Sequence, residues 1–579
     1  MNTFYSAEKN TQILIALLKH HRVQKVVASP GATNVCFIAS IQSDPYFKIY
    51  SCVDERSAAY LACGMAAESN EPVLLSCTGA TASRNYIPAL TEAYYRKLPI
   101  LAVTATQHCG RIGNHIPQVI DRSTPLKDIT VFDAQIPTIH DRDDEWAYSV
   151  IMNRALIALR DHGGGPVHIN LTTQYSDDFS VKQLPSVQVI DKLSLEDELP
   201  TIDNGFNRIA IFVGAHIKWS ESLVKAVDEF CEKYNAVVFC DQTSNYHGKY
   251  RCFYALLSYQ VNSTLYNKID LLIHIGEVSG SYLRIKPRQV WRVNSDGVVR
   301  DSFQKLRYVF EMSEEAFFNK YNSIENKTKS TEFYEFCKNQ YDYIYQKIPE
   351  LPFSNMWIAL MMHDKLPQNS ALHLGILNTL RSWNFFETPN NITGFCNTGG
   401  FGIDGVASSA VGASLVSPEK LIFCVIGDLA FFYDLNSIGN RHIGKNLRIL
   451  VINNGVGAEF KLYSHRVARF GDDGDYCMAA RGHYGNKSKT LLKHYATDLG
   501  FDYLSASTKE EFTNQLPTFL SKENDKSILF EVFTDSKLES DSLYAMERLV
   551  SDASGVTKTV VKKILGKKGI ETIKSVINR

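Results

Sequence analysis

Two polar pairs in this sequence stand where chemistry could be done. In "FCVIGDLAFFYDLNSIGNRHIGKNLRILVINNGVGAEF" (423–460), Gly427-Asp428 follows one apolar run and Asn453-Asn454 follows the next. Ligands of open α/β sheets bind beyond the carboxyl ends of the strands, which is where such pairs would fall. An aspartate and an asparagine supply hard oxygen ligands, and magnesium takes six oxygens, some of them commonly from substrate phosphates. Gly427 would let a phosphate approach the backbone, and a helix after Asp428 would turn its free N–H groups toward the same anion. The alternative is a pair of polar turns. A second group, Asp54-Glu55 in "YSCVDERSAAYLACGMA", opens a helix of small residues. A glutamate there either interacts with the helix dipole or does acid–base work. "SPGATN" (29–34) and "TGATASRNYIPALTEA" (78–93) accompany it, and "QHCGRIGNHIPQVID" (107–121) carries His108 and His115. Those histidines are either proton carriers or ordinary loop residues.

The elements that must position these groups alternate along the chain. "VQKVVASPGATN", "FKIYSCVDERSAAYLACGMAAES", "PVLLSCTGATASRNYIPALTEAYYRK", "LPILAVTATQ" and "GGPVHINLTT" read as short apolar strands, with a helix from about residue 35 and further helices between them. Strands apolar throughout and alternating with helices imply a parallel sheet covered on both faces. A second α/β segment runs from "RIAIFVGAHIKWSESLVKAVDEFCEKYNAVVFCD" to "RQVWRVNSDG". A third starts near residue 354 and closes with "SILFEVFTD" and a helix near 540–552. The first and third look alike in pattern, which hints at an old duplication. At 579 residues the chain exceeds one core, and three domains are expected. Polar stretches at 179–205 and 324–353 read as linkers between them. The tail, 553–579, sets Val556, Val560, Ile564 and Leu565 opposite Lys558, Lys562, Lys563, Lys567 and Lys568. Such a basic amphipathic helix lies on an anionic membrane or a partner, or packs on the protein's own surface; Gly566 and Gly569 favour the last.

Composition narrows the classes. Forty-five percent hydrophobic and 21% charged residues are ordinary for a globular protein, and a formal net charge of −1 argues against nucleic acid as a partner. The twelve cysteines form no C-x-x-C pair, and most lie in apolar stretches, as reduced core residues of a cytoplasmic protein do. No basic start with a cleavable apolar run and no membrane-length apolar run is present.

Taken together, Glu55, "SPGATN", "TGATAS" and the G-D…N-N pair resemble the thiamine diphosphate (ThDP) enzymes of the pyruvate oxidase, decarboxylase and acetolactate synthase type. Within that family "DERSAAYLACGMA", "GPVHINLTT", "GFGIDGVASSAVGA" and "GDLAFFYDLN" read most like MenD-type segments. The resemblance covers nearly the whole chain except the tail. It implies a pyrimidine-binding domain at 1–178, a central domain at 206–323 and a diphosphate-binding domain at 354–552. It also implies that Glu55 bonds N1′ of the aminopyrimidine, in a site dry enough to raise its pKa. Asp428, Asn454 and the Val456 carbonyl would hold Mg2+. Pro30, Thr78, Gly402, Gly427, Leu429, Ala430, Ala458, Glu459 and Phe460 would touch ThDP, and Ile403 would wedge it into its bent shape. Gln118, with His108 and His115, would face the reacting carbon and serve proton transfer. The active site would lie between two subunits, in a homodimer or a dimer of dimers.

The departures from MenD fall on the substrate side. Ala32-Thr33 stand where MenD has Ser-Arg, Thr398 where it has a second arginine, Ser281 where a lysine is expected, and "TQHCGRIG" where it has Asp-Arg-Pro. Arg381 matches a carboxylate-binding arginine. Thr33, Asn34, Arg381 and Thr398 are thus the candidate substrate residues. Losing several cations that hold carboxylates argues against the MenD reaction. The expected activity is decarboxylation of a 2-oxo acid with ligation of the acyl fragment to an acceptor carbonyl or enone. The alternatives are a simple decarboxylase of the phosphonopyruvate or sulfopyruvate type, then MenD synthesis itself. A catalytically silent scaffold is the reading from a different class.

Overall fold

The computed structural model describes residues 4–550 apart from 204, 217–218, 262–267, 282–283 and 326–329; the basic tail expected at 553–579 lies outside the described residues. The chain divides into two compact units, residues 1–197 with 296–311, and residues 198–295 with 312–579.

The first unit is built on six parallel strands in the spatial order Lys48–Ser51, Lys25–Ala28, Val73–Cys77, Ile100–Thr106, Val167–Thr172, Phe132–Ile136. Successive side chains of a strand point to opposite faces, so each strand feeds two cores. Val26, Leu74, Leu101 and Val103 pack with the helix Lys9–His20 on one face. Val27, Leu75, Ile100 and Ala102 pack with the helices Glu55–Ser69 and Ile87–Arg96 on the other. Val73–Cys77 is buried at every position, as a central parallel strand must be. The unit also holds Asp191–Ser194, paired in parallel with Leu306–Glu311.

The second unit carries two sheets. One contains the parallel strands Arg251–Phe253, Ala236–Cys240, Ile209–Val213, Lys268–Ile275 and Lys286–Val293, in that spatial order. The other has six parallel strands in the order Thr393–Phe395, Ala371–Leu374, Ile422–Gly427, Leu447–Asn453, Ile528–Phe533, Asp502–Ala506. The fold is therefore α/β, with three sheets of parallel strands flanked by helices.

Two stretches read as linkers hold regular structure. Residues 324–353 contain the helix Glu332–Tyr345, which buries Phe333, Cys337, Tyr341 and Ile344 at helical spacing behind its charged face. Residues 179–205 contain the strand Asp191–Ser194. All twelve cysteines are free, and eight of them are buried. Among the described residues no helix is long and apolar enough to cross a membrane.

Candidate active site

Asp428 and Asn454 sit at the ends of adjacent parallel strands, Ile422–Gly427 and Leu447–Asn453, paired so that Gly427 lies opposite Ile452. Both open onto a cavity of about 160 Å3 that also receives Ile403, Gly427, Leu429, Ala430, Val456, Ala458, Glu459 and Phe460. Ten of the sequence-predicted residues thus come together in one place. Gly402, expected beside Ile403, is not part of the wall. The two asparagines divide their work: Asn453 is buried and donates to Glu531 Oε1 at 2.7 Å, so only Asn454 faces the cavity.

Asp428 is 6% exposed, and burial pushes its carboxyl up to about 6, although backbone N–H groups of Leu429, Gly455, Asp428 and Asn454 pull the other way. The Gly455 N–H lies 3.0 Å from Oδ2. These bonds correct one expectation: the carboxylate itself takes N–H groups at the start of the helix Asp428–Tyr433.

The described wall residues include two carboxylates, Asp428 and Glu459, and no Lys, Arg or His. A diphosphate entering here needs a cation brought with it, and an all-oxygen donor set suits a hard divalent ion. Two further observations fit such a group. A Cβ on Gly427 would meet no protein atom within 4 Å, so the backbone there is open to a ligand. Asn355 on the wall has Oδ1 buried without a hydrogen-bond partner, an acceptor that a hydrated cation would satisfy.

Sequence reasoning missed part of this wall: Asn355, Gly375, Ile376, Leu377, Asn378 and Thr379. Residues 375–379 follow the strand Ala371–Leu374 and obey the same strand-end rule, so the signal was present. Glu539 was invisible. It is fully buried, its carboxyl raised to about 7 by burial, and it accepts from the Asn355 backbone N–H at 3.0 Å, Asn378 Nδ2 at 3.3 Å and Thr534 Oγ1 at 2.8 Å.

The substrate-side candidates of the second unit gather beside this cavity. Arg381, Ser281, Leu377 and Asn384 line one small recess, Asn384 donates to Ser281 Oγ at 2.7 Å, and a Cβ on Gly280 would lie 3.2 Å from Thr398 Cγ2. Arg381 was expected to await a substrate carboxylate. Instead, its Nη1 and Nη2 donate to Glu459 Oε2 and Oε1 at 2.8 and 2.9 Å, because the protein supplies its own carboxylate there.

In the first unit Asp54 caps the helix Glu55–Ser69, accepting from the N–H groups of Arg56 and Ser57. Glu55 is therefore free of the capping role. It is half-buried and accepts from Asn85 Nδ2 at 3.3 Å through Oε2. Thr33 and Asn34 are buried and satisfied within the unit: Thr33 Oγ1 bonds Thr78 Oγ1 and accepts from the Gly79 N–H, and Asn34 Nδ2 donates to the Ser29 carbonyl. Buried in those bonds, Thr33 and Asn34 belong to the loop that carries Pro30, itself exposed. His108, His115 and Gln118 lie on an exposed loop, and His108 Nδ1 caps a short turn by accepting from the Gly110 N–H. His115 and Gln118 have φ of +56° and +63°. The Gln118 carbonyl lies 3.7 Å from the Cβ position of Gly79, which brings that part of the loop beside Thr78.

Comparison with known proteins decides the family. The family described as "Thiamine pyrophosphate enzyme, N-terminal TPP binding domain" matches residues 9–124. The 2-succinyl-5-enolpyruvyl-6-hydroxy-3-cyclohexene-1-carboxylate synthase of Bacteroides fragilis is 32% identical over 565 residues, covering 93% of this chain and 98% of that protein. The synthase of the same name from Bacteroides thetaiotaomicron is 31% identical over 566 residues, with the same coverage. That of Flavobacterium johnsoniae is 28% identical over 476 residues, 78% of this chain and 84% of that protein. The chain belongs to the MenD-like thiamine diphosphate enzymes. Membership makes ThDP the cofactor, and the cavity around Asp428 has the oxygen donors and the open backbone that a metal-bound diphosphate requires.

Proposed function

We propose that this ThDP enzyme uses Mg2+, decarboxylates a 2-oxo acid and ligates the acyl fragment to an acceptor carbonyl or enone. The observation that carries the reading is the cavity at the ends of Ile422–Gly427 and Leu447–Asn453, with carboxylate and amide oxygens and no cation on its described wall. Asp428, Asn454 and the Val456 carbonyl would hold the metal; Gly427, Leu429 and Ala430 would meet the diphosphate; Ile403, Ala458 and Phe460 would bear on the rings, with Pro30 and Thr78 serving the pyrimidine end. ThDP supplies the electron sink for loss of CO2. Glu55 would hold the proton shared with the aminopyrimidine, with Asn85 fixing Oε2 and leaving Oε1 for the ring. His108, His115 and Gln118 are the candidates for proton transfer and orientation on the loop side.

Ligation is favoured over simple decarboxylation because the relatives are named synthases. Their own reaction is not favoured, since Thr33, Ser281 and Thr398 replace expected cations. The subunit is proposed to form a homodimer or a dimer of dimers, because Tyr50, Val53, Tyr60 and Leu61 around the Glu55 helix are exposed apolar residues that a second copy would cover. Free, mostly buried thiols support a cytoplasmic location.

The test has two stages. ThDP with Mg2+ should raise the melting temperature, with each alone giving little, and no shift would remove the cofactor site. A screen of 2-oxo acids for CO2 release, with and without acceptor aldehydes, should then give a coupled product; CO2 with only the free aldehyde would leave a simple decarboxylase.

A further inference from the structure

The same site carries information about its donor substrate, and this inference rests on the 2-oxo acid reading above. Arg381 and Glu459 form a two-pronged ion pair with side chains 9% and 15% exposed. Glu459 stands on the wall of the cofactor cavity, Arg381 on the wall of the recess with Ser281 and Asn384, and Leu377 belongs to both walls. The pair therefore lies at the junction of the two spaces. Leu377 is itself held at φ +66° and ψ −116°, a conformation that costs a branched side chain energy and persists where the surroundings enforce it. The helix that follows, Asn378–Trp383, carries Arg381, so the strained residue sets where the guanidinium stands.

A guanidinium recognises a carboxylate through parallel N–H bonds, and here one such edge is already taken by the chain's own carboxylate. The other described residues lining the two spaces include no Lys, Arg or His. A donor carrying a second carboxylate would meet the Glu459 charge at close range, in a wall too dry to screen it, with its natural partner occupied. Specificity built this way uses a repulsive element beside the attractive one.

We propose that the donor is a 2-oxo acid with an uncharged side chain, and that the Glu459–Arg381 pair is the specificity determinant that excludes 2-oxo dicarboxylates. The probes are methyl acetylphosphonate and methyl succinylphosphonate, stable mimics of pyruvate and 2-oxoglutarate, titrated calorimetrically into the enzyme saturated with ThDP and Mg2+. The wild type should bind the acetyl compound roughly tenfold more tightly or better. Glu459→Gln, which leaves Arg381 unopposed, should tighten the succinyl compound roughly tenfold more than it tightens the acetyl compound. The double variant Glu459→Met/Arg381→Met removes both charges at similar volume and should narrow the acetyl preference; an undiminished preference overturns the pair's role, which covers the case in which the single variant fails to fold. Equal or tighter succinyl binding by the wild type overturns the proposal, as does a Glu459→Gln protein that folds and gains no succinyl affinity. A protein stabilised by ThDP and Mg2+ that binds neither phosphonate rejects the 2-oxo acid reading and the specificity with it. Absence of ThDP stabilisation rejects the cofactor site instead.

Discussion

Numbered along the chain within each sheet, the strands of the first sheet lie side by side as 2-1-3-4-6-5, and the last sheet of the second unit repeats that order strand for strand. The acids sit at different places on this shared plan. In the first sheet the second strand, Lys48–Ser51, leads to Asp54 and Glu55, while the third, Val73–Cys77, ends in Thr78-Gly79. In the other the second strand, Thr393–Phe395, leads to Thr398, and the third, Ile422–Gly427, ends at Asp428. One plan thus carries a half-buried carboxylate, and the other a nearly buried carboxylate that burial pushes up to about 6. Even the latch between the first helix and the last-paired strand is shared with its sides exchanged. In the first sheet Glu8, at the start of Lys9–His20, accepts from Thr173 Oγ1 and the Gln174 N–H beyond Val167–Thr172. In the other, Glu539 lies beyond Ile528–Phe533 and accepts from Thr534 Oγ1 and the N–H of Asn355, at the start of Asn355–Met362. The difference teaches that the backbone plan fixes where a charge can act, and local burial decides what it does.

The widest break in the comparison should come from removing each acid in turn. Asp428→Ala should weaken Mg2+-dependent ThDP binding by roughly a hundredfold or more, read as loss of the cofactor-induced rise in melting temperature. Glu55→Gln should leave that rise largely intact and slow exchange of the ThDP C2 proton by about 10²–10⁴-fold, read by NMR. If Glu55→Gln instead abolished binding, or Asp428→Ala spared it, the division of labour between the sheets would be wrong. A smaller effect tests the helices that follow the second strands, Glu55–Ser69 and Val406–Val416. Both are rich in alanine and serine, and a Cβ on Gly64 or Gly412 would meet nothing within 4 Å. If a second copy packs there, Gly64→Leu and Gly412→Leu should each shift the enzyme toward monomers in sedimentation, without changing the fold of the subunit. A variant of either kind that keeps the wild-type mass would place the interface elsewhere.

Much of this plan was legible in the chain. Unbroken apolar runs such as Val26-Val27 or Leu74-Leu75 announce strands buried on both faces, and the strand-end rule pointed to Asp428 and Asn454. What stayed hidden depends on pairing across distance. Glu459 reads as a cofactor contact until Arg381, 78 residues away, is seen to hold it. Glu539 reads as a helix residue until it meets Asn355 across 184 positions. The helix Glu332–Tyr345 was masked by its tyrosines and charges, although Phe333, Cys337, Tyr341 and Ile344 carry the helical spacing.

The smallest effect concerns the latch of the second unit. Glu539 is fully buried and its carboxyl is raised from 4.5 to about 7, with burial the largest cause. A raised carboxyl binds its proton more tightly folded than unfolded, so folding retains the benefit below pH 4.5 and loses it as pH climbs through about 7. At about 1.4 kcal/mol per pH unit, the loss is on the order of 3 kcal/mol between those values. Glu539→Gln cannot titrate and keeps one acceptor for the Asn355 N–H. The wild type should therefore lose melting temperature relative to this variant as pH rises from 4.5 to 7, and the two should run parallel above that. A constant difference across the range would mean that the Asn355 and Asn378 bonds keep Glu539 ionised throughout. The latch would then be an ionised carboxylate held by N–H donors, one that holds the cavity wall equally at every pH in that range.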